Sequence, residues 1–427
     1  MWPSALLPPR RYRWNYTVMG LDISLFVLAL SFASAYGVLP LFVSHLSGST
    51  LAVGAIPALR AAALLPPIFV AGLTERLRRK QPFLLGVTVF ERVPYLVLAV
   101  ATPPLARSHP SALLWLCYAL LAATTLAAGV GIPAWLDLLA RMLPADWRGR
   151  FFGHSSALGG LLGVAGSAGA AALLARFDWA VGSALCFACA FAALVASFLC
   201  LALGREPAEA PGEAPAQPPS RPAGTAWRRL PALVRGDRNL RRYLPALALL
   251  TAAGTTTAFY VVDARGALRL SDGAAGRYAV ALLAAATAGN VLWGYVGDHR
   301  GHKRVVLGGA LCTGLAPLLA LALRDPRWGP LGYAAVFLLA GLATSGLQLA
   351  ALTFIVDLAP REQRPTYIGL ANLVQAPCAL GAPLLGAALA EARGYPALFA
   401  LTAALALAAT GLVWRGVRDP RAAVSRS

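Results

Sequence analysis

The chain has 427 residues, of which 58% are hydrophobic and 13% charged, with a formal net charge of +19. A soluble chain of this length would carry about 25% charged residues, so the composition excludes an ordinary water-soluble protein. The apolar residues lie in long runs without period-two alternation, which argues against a transmembrane barrel.

The N-terminal stretch MWPSALLPPRRYRW is basic. The apolar segment after it is too long for a signal peptide and lacks a small-residue cleavage site, which predicts a retained cytoplasmic end. Twelve apolar segments follow, at about 17–42, 50–74, 82–104, 112–142, 153–175, 179–203, 239–263, 273–297, 303–323, 330–358, 366–391 and 394–414. Runs of about 18 or more apolar residues read as membrane-spanning helices. The expected fold class is therefore all-α, a polytopic membrane protein of twelve transmembrane helices.

Residues 204–238 break the pattern. REPAEAPGEAPAQPPSRPAGT is rich in Pro, Ala and Glu, and WRRLPALVRGDRNLRR follows it. This composition reads as a linker. It divides the chain into an N-terminal six-helix bundle (1–203), a cytoplasmic linker (204–238) and a C-terminal six-helix bundle (239–427).

The two halves repeat each other. PADWRGRFFG (144–153) pairs with PREQRPTYIG (360–369), and LSGSTLAVG (46–54) with LRLSDGAAG (268–276). AGLTERLRRK (71–80) pairs with GYVGDHRGHKR (294–304). The three matches keep their order along the chain. Duplicated bundles of this kind expose a site between the repeats to alternate sides of a membrane.

The charge suggests nucleic acid until it is placed on the spans. With both termini on one side, that side holds 27 of the 37 Lys and Arg, the other side 8, and Arg60 and Arg92 lie within the membrane. Basic residues accumulate in cytoplasmic loops. The charge is an orientation signal that puts both termini in the cytoplasm of an inner or plasma membrane, with no nucleic-acid partner. The six cysteines, Cys117, Cys186, Cys189, Cys200, Cys312 and Cys378, all fall in apolar segments. No disulfide framework, metal site or cofactor is implied.

The repeat with its paired polar turns resembles the major facilitator superfamily of transporters over nearly the whole chain. The pattern Gly-x-x-x-Asp-Arg-x-Gly-Arg-Lys is kept in the second half by Gly294, Asp298, Gly301, Lys303 and Arg304, with His299 where Arg is usual. The first half has Ala71, Glu75 and Arg78 at the Gly, Asp and second Gly positions, and keeps Arg76, Arg79 and Lys80. Sugar-porter signatures are absent, and the fifth segment lacks the Gly-Pro element of many drug/proton antiporters.

The resemblance implies a cytoplasmic gate. An acid at one helix end is favoured beside the positive start of another, by roughly 0.3–1 kcal/mol when exposed. Glu75 would face the helix start near Thr366, and Asp298 the start near Gly149–Arg150. Asp137 and Asp357 would pair with the motif's basic residues. Arg148 and Arg364 belong to the matching PxxxRG loops. A bland reading, tight turns carrying topology charges, stands beside this one, above all for Arg79, Lys80 and Arg304.

A charge within a bilayer costs about 2.5–3.5 kcal/mol on insertion scales, so each needs a reason. Asp22 lies six residues past Tyr16, about 9 Å along the first helix. Glu91 and Arg92 lie about 14 Å into the third, and Arg60 is similarly deep in the second. Glu91 paired with Arg60 or Arg92 would be a structural ion pair. Alternatively Glu91, like Asp22, would carry the coupling proton.

In the superfamily, helices 1, 4, 7 and 10 line the central cavity. Tyr36, Trp135, Thr256, Tyr260 and Gln348 are the strongest candidates to touch a substrate, because most Ser and Thr in such helices bond their own backbone. The inventory suits a small, moderately apolar or uncharged molecule. The expected function is a monomeric, proton-coupled secondary transporter working in efflux, possibly an antiporter. The alternatives are a facilitator, and a transporter-like sensor or scaffold that binds without flux. No constellation of nucleophile, base and metal suggests an enzyme.

Overall fold

The computed structural model describes residues 10–67, 70, 74, 77–207, 233–325, 327, 329–360 and 364–418. In chain order the helices are α1 (Arg10–Phe32), α2 (Val38–Leu46), α3 (Thr50–Ala61), α4 (Gln81–Ser108), α5 (Pro110–Met142), α6 (Ala145–Arg176) and α7 (Trp179–Leu203). The second half continues with α8 (Arg238–Gly254), α9 (Thr257–Ala267), α10 (Asp272–Arg300) and α11 (His302–Ala322). It ends with α12 (Gly329–Leu358), α13 (Arg364–Arg393) and α14 (Tyr395–Gly416).

The architecture is all-α, as the apolar runs predict. Hydrocarbon offers no partner for a backbone N–H or C=O, so a spanning segment must satisfy its own. Eleven stretches of the described residues are long and apolar enough to cross a membrane, and Thr50–Leu64 is a shorter apolar helix. The helix ends follow local chemistry. Asp178 accepts a hydrogen bond from the Ala180 N–H at 3.3 Å, and Asp237 accepts from Asn239 and Leu240 at 2.8 and 3.0 Å. Each side chain thus satisfies N–H groups that a helix start leaves orphaned.

Two spans are interrupted. The first segment breaks at residues 33–37, between α1 and α2, and the seventh at 255–256, between α8 and α9. Both breaks fall where Ser, Thr and Gly weaken the helix, through SFASAYG and AGTTT. Such side chains bond nearby backbone and compete with the helical ladder. Thr255 does so, donating to the Ala252 carbonyl at 2.7 Å.

The chain divides into two compact units: Met1–Ser34 with Ala62–Ala216, and Ala35–Ala61 with Gln217–Ser427. In the first unit α1 packs on α6 and α7, and α4 packs on α5 and α7. Its buried core includes Met19, Leu84, Leu138 and Phe151. In the second unit α12 lies against α10 and α11, while α14 lies against α8 and α11. Residues 35–61, from the N-terminal half of the sequence, belong to this second unit, where α3 packs along α13.

Gly301 closes α10 and opens α11 with φ +85° and ψ 150°. L-residues strongly avoid this region, at a cost of about 1–3 kcal/mol. Gly301→Ala is therefore expected to lower the apparent melting temperature of the detergent-purified protein. Gly294→Ala adds a Cβ that meets nothing within 4 Å, and is expected to leave melting unchanged or slightly raised. Equal melting of the two variants would mean the turn tolerates a side chain.

Candidate functional site

The first unit holds a buried charge cluster. α1 carries Asp22, which is 6% exposed. It lies 11 residues into the span Arg11–Phe32, about 16 Å from its start. α1 begins at Arg10, ahead of the apolar pattern, and the first segment continues beyond its break into α2. Glu91 and Arg92 lie at a matching depth in α4 and are similarly buried. Ser197 of α7 donates to Asp22 Oδ1 at 2.6 Å.

Arg92 joins these groups. Its Nε donates to the Leu194 carbonyl at 3.0 Å, its Nη1 to the Thr88 carbonyl at 2.9 Å, and its Nη2 to Ser197 Oγ at 3.3 Å. The guanidinium lies 5.2 Å from the Phe198 ring centroid. Glu91 Oε2 is 3.6 Å from Arg92 Nη1, a charge contact longer than a hydrogen bond. The Trp135 side chain of α5 lies near Asp22. The cluster therefore holds two carboxyl groups and one guanidinium. With all three ionised it carries one uncompensated negative charge, which low-dielectric surroundings disfavour. One proton makes it neutral.

At the end of this unit where α4 starts, a second network forms. Buried Lys80 contacts Asp137 at 3.1 Å and donates to the Thr74 carbonyl. Arg141 contacts Asp137 at 3.2 Å. Arg148 donates to the Ala140 and Leu143 carbonyls at 2.6 and 3.3 Å, covering the last carbonyls of α5. A cation suits the negative end of a helix. Glu206 accepts from the Lys80 and Gln81 N–H groups at 2.9 and 3.0 Å. The first residues of the linker thus cap α4. Glu75 and Arg76 lie outside the described residues.

The equivalent turn in the second unit is built differently. His302 Nδ1 meets Asp357 Oδ2 at 2.6 Å, while Lys303 donates to the Trp414 carbonyl at 3.1 Å. The repeat offset equates Lys80 with Lys303, yet it is the neighbouring histidine that meets the acid. Asp298 is exposed at the end of α10, and Gly294 is half-buried one turn earlier. Arg364 begins α13, and its side chain lies outside the described set.

At the opposite end of the second unit, residues 35–61 seal against the second half of the sequence. His45 Nε2 meets Asp272 Oδ2 at 2.6 Å, and Arg265 Nε meets Asp272 Oδ1 at 2.9 Å. Arg265 Nη1 donates to Ser44 Oγ at 3.3 Å, and Ser49 donates to Glu391 at 3.3 Å. Asp272 sits in the first turn of α10, where a negative charge is favoured. Below this layer α3 approaches α13 closely. A Cβ on Gly54 would lie 2.6 Å from Ala387 Cβ and 2.7 Å from the Pro383 carbonyl oxygen. A pocket of about 550 Å³ opens beside the cluster, lined by Ser47, Ser49, Thr50, Arg265, Arg269 and Tyr395 among others.

The expected cavity residues are scattered. Thr256 is buried, with its Oγ1 2.8 Å from Thr402 Oγ1. Tyr260 is also buried, its ring 6.3 and 5.1 Å from Phe337 and Phe399. Tyr36 is half-buried at the break after α1, and Gln348 is exposed on α12. Arg60 is exposed near the end of α3. Trp135 is the one of the five near the buried charges. Sequence reasoning missed His45, Arg265 and Asp272, which look like ordinary loop charges. The signal for them was the repeat itself, since the paired turns 46–54 and 268–276 flank the contact. It also missed Ser197 and Glu206.

Residues 243–427 match the family model of the Major Facilitator Superfamily. No curated protein sequence matches the chain. Solved structures share the fold along nearly its whole length. A mutant of the nucleoside transporter NupG is similar with a TM-score of 0.70 at 12% identity, over 96% of this chain and 100% of that one. A D-xylose-proton symporter gives 0.69 at 13%, over 96% and 99%. An auto-inhibited peptide transporter of the POT family gives 0.67 at 15%, over 96% and 98%.

The α3–α13 seam makes a direct prediction. Gly54→Leu prevents α3 from seating on Pro383 and Ala387, since forced overpacking costs about 1–3 kcal/mol. Labelling of a cysteine introduced at Ser49 by a membrane-impermeant maleimide should rise several-fold relative to the Gly54 parent. Unchanged labelling would show that this contact does not close the end of the unit.

Proposed function

From a chain whose residues 243–427 match the family model of the Major Facilitator Superfamily, and whose fold is shared along nearly its whole length with membrane transporters, we propose a proton-coupled secondary transporter. Its cargo is a small, moderately apolar or uncharged molecule. The carrying observation is the Asp22–Ser197–Arg92–Glu91 cluster, which has one more acid than base at mid-span. Uptake of a proton neutralises it and release restores the charge. That difference supplies the coupling free energy that a transport cycle needs. Trp135, near Asp22, links this cluster to α5, a helix whose counterpart lines the cavity in the superfamily. The D-xylose-proton symporter among the similar structures is in keeping with such coupling.

The repeats, 1–203 and 239–427, are the moving bodies in this reading, joined by the linker 204–238. Residues 35–61 then part from α9 and α13 when the end of the second unit carrying His45 and Asp272 opens. The other gate lies in the paired polar turns. There Asp137 holds Lys80 and Asp357 holds His302. The positive-inside bias puts this gate and both termini in the cytoplasm. The chain works as a monomer in an inner or plasma membrane, with drug or metabolite efflux as its direction.

A thermal-stabilisation screen of the purified protein finds the cargo, because a ligand of the folded state raises apparent stability. Reconstituted vesicles then test the coupling. An imposed pH gradient should drive accumulation in the wild type. Asp22→Asn and Glu91→Gln should each cut it by about tenfold or more, corresponding to about 1.4 kcal/mol, while gradient-free exchange persists. Accumulation that survives collapse of the gradient would rule out proton coupling. Binding without any flux would make the protein a sensor instead.

A further inference from the structure

A second pocket, of about 290 Å³, lies where α8 begins and α14 ends. Arg238, Arg242 and Arg418 line it, with Asp237, Asn239 and the backbone of Gly236 and Gly416. We propose that it binds the phosphate group of an anionic phospholipid. The inference needs only that the helices span a bilayer, so it stands apart from the transport reading.

Three observations carry it. The first is charge. Asp237 is the one acid among the lining residues, and its oxygens are committed. Oδ1 accepts from the Asn239 and Leu240 N–H groups, and Oδ2 accepts from the Tyr367 hydroxyl at 2.8 Å. Arg242 spends one N–H on the Gly416 carbonyl at 2.8 Å. The side chains of Arg238 and Arg418 are exposed and turn uncommitted donors to the opening. A guanidinium presents a planar fork of donors that matches phosphate oxygens.

The second observation is rigidity. The Arg418 N–H donates to Asn239 Oδ1 at 2.9 Å, and Asn239 Nδ2 donates back to the Arg418 carbonyl at 3.4 Å. The two walls are thereby stitched together, which fixes the backbone from which Arg418 projects. The third is depth. The apolar spans run Arg238–Ala267 and Tyr395–Gly416, so the pocket sits at the rim of the apolar surface, at headgroup level. Trp414, 65% exposed, lies in the last turn of α14 at this level, where interfacial aromatics are enriched. Basic pockets between helices at this level are suited to anionic headgroups.

The test titrates the full-length protein in neutral detergent with short-chain phosphatidylglycerol, phosphatidylcholine or inorganic phosphate, reading binding by the shift in melting temperature. Phosphatidylglycerol should bind, phosphatidylcholine should not, and phosphate should bind much more weakly. The double variant Arg238→Gln/Arg418→Gln should weaken phosphatidylglycerol by about thirtyfold, the effect of removing two cations at a membrane face. Arg238→Lys/Arg418→Lys should retain most of the binding and shows that the fold tolerates change there. The control Arg277→Gln/Arg393→Gln removes equal charge elsewhere in the same unit and should have little effect. Equal weakening in the control would reduce the finding to bulk attraction. An unaffected Arg238→Gln/Arg418→Gln variant would remove the site. Phosphate binding as tightly as the lipid would reassign the pocket to a free anion.

Discussion

Every feature of this fold follows from one constraint, that a backbone amide inside hydrocarbon has no water to bond. Each span must close its own ladder of hydrogen bonds, so the described spans are helical. The same dry surroundings raise the stake of every charge. Asp22, Glu91 and Arg92 persist at mid-span only because each meets another charge or a hydrogen-bond partner. The exposed apolar side chains, such as Phe90, Trp115, Val291 and Leu331, show the other side of that constraint. On a soluble protein such a surface would aggregate, whereas here it faces lipid tails.

The charged groups divide by depth into two kinds. Those at helix ends, among them Arg148, Lys303 and Glu206, satisfy terminal carbonyl or N–H groups and fix where helices stop. Those at mid-span satisfy each other, and their sum is unbalanced. A surplus of one carboxylate is costly in such surroundings. The two repeats also solve one problem in different ways. Lys80 holds Asp137 in one unit, while His302 holds Asp357 in the other and leaves Lys303 to cap α14.

The spans were legible in the sequence because length and hydropathy decide them. The apolar segment 179–203 coincides with α7. The breaks after α1 and α8 were not legible, since a few Ser, Thr and Gly residues scarcely alter mean hydropathy. The start of α1 was not legible either, because polar Arg11, Arg13 and Asn15 precede the apolar run. Contacts between distant segments were least legible. His45, Asp272 and Arg265 are 227 residues apart at their extremes, and no local pattern announces their meeting. Residue type did not tell which side chains are buried, for Tyr260 lies among Phe337 and Phe399.

The contact at Gly54 has a thermodynamic side. It joins a glycine to an alanine methyl and a backbone carbonyl, with the Phe259 ring as the third neighbour, so few rotamers freeze when it closes or are regained when it parts. Long side chains would lose about 1.5–2 kcal/mol each in such an event. Smooth surfaces of small residues avoid that entropy change. A seam of this kind is nearly symmetric in entropy between shut and open. Its balance rests on van der Waals contact and on the polar pairs above it, His45 and Arg265 with Asp272 and Ser49 with Glu391.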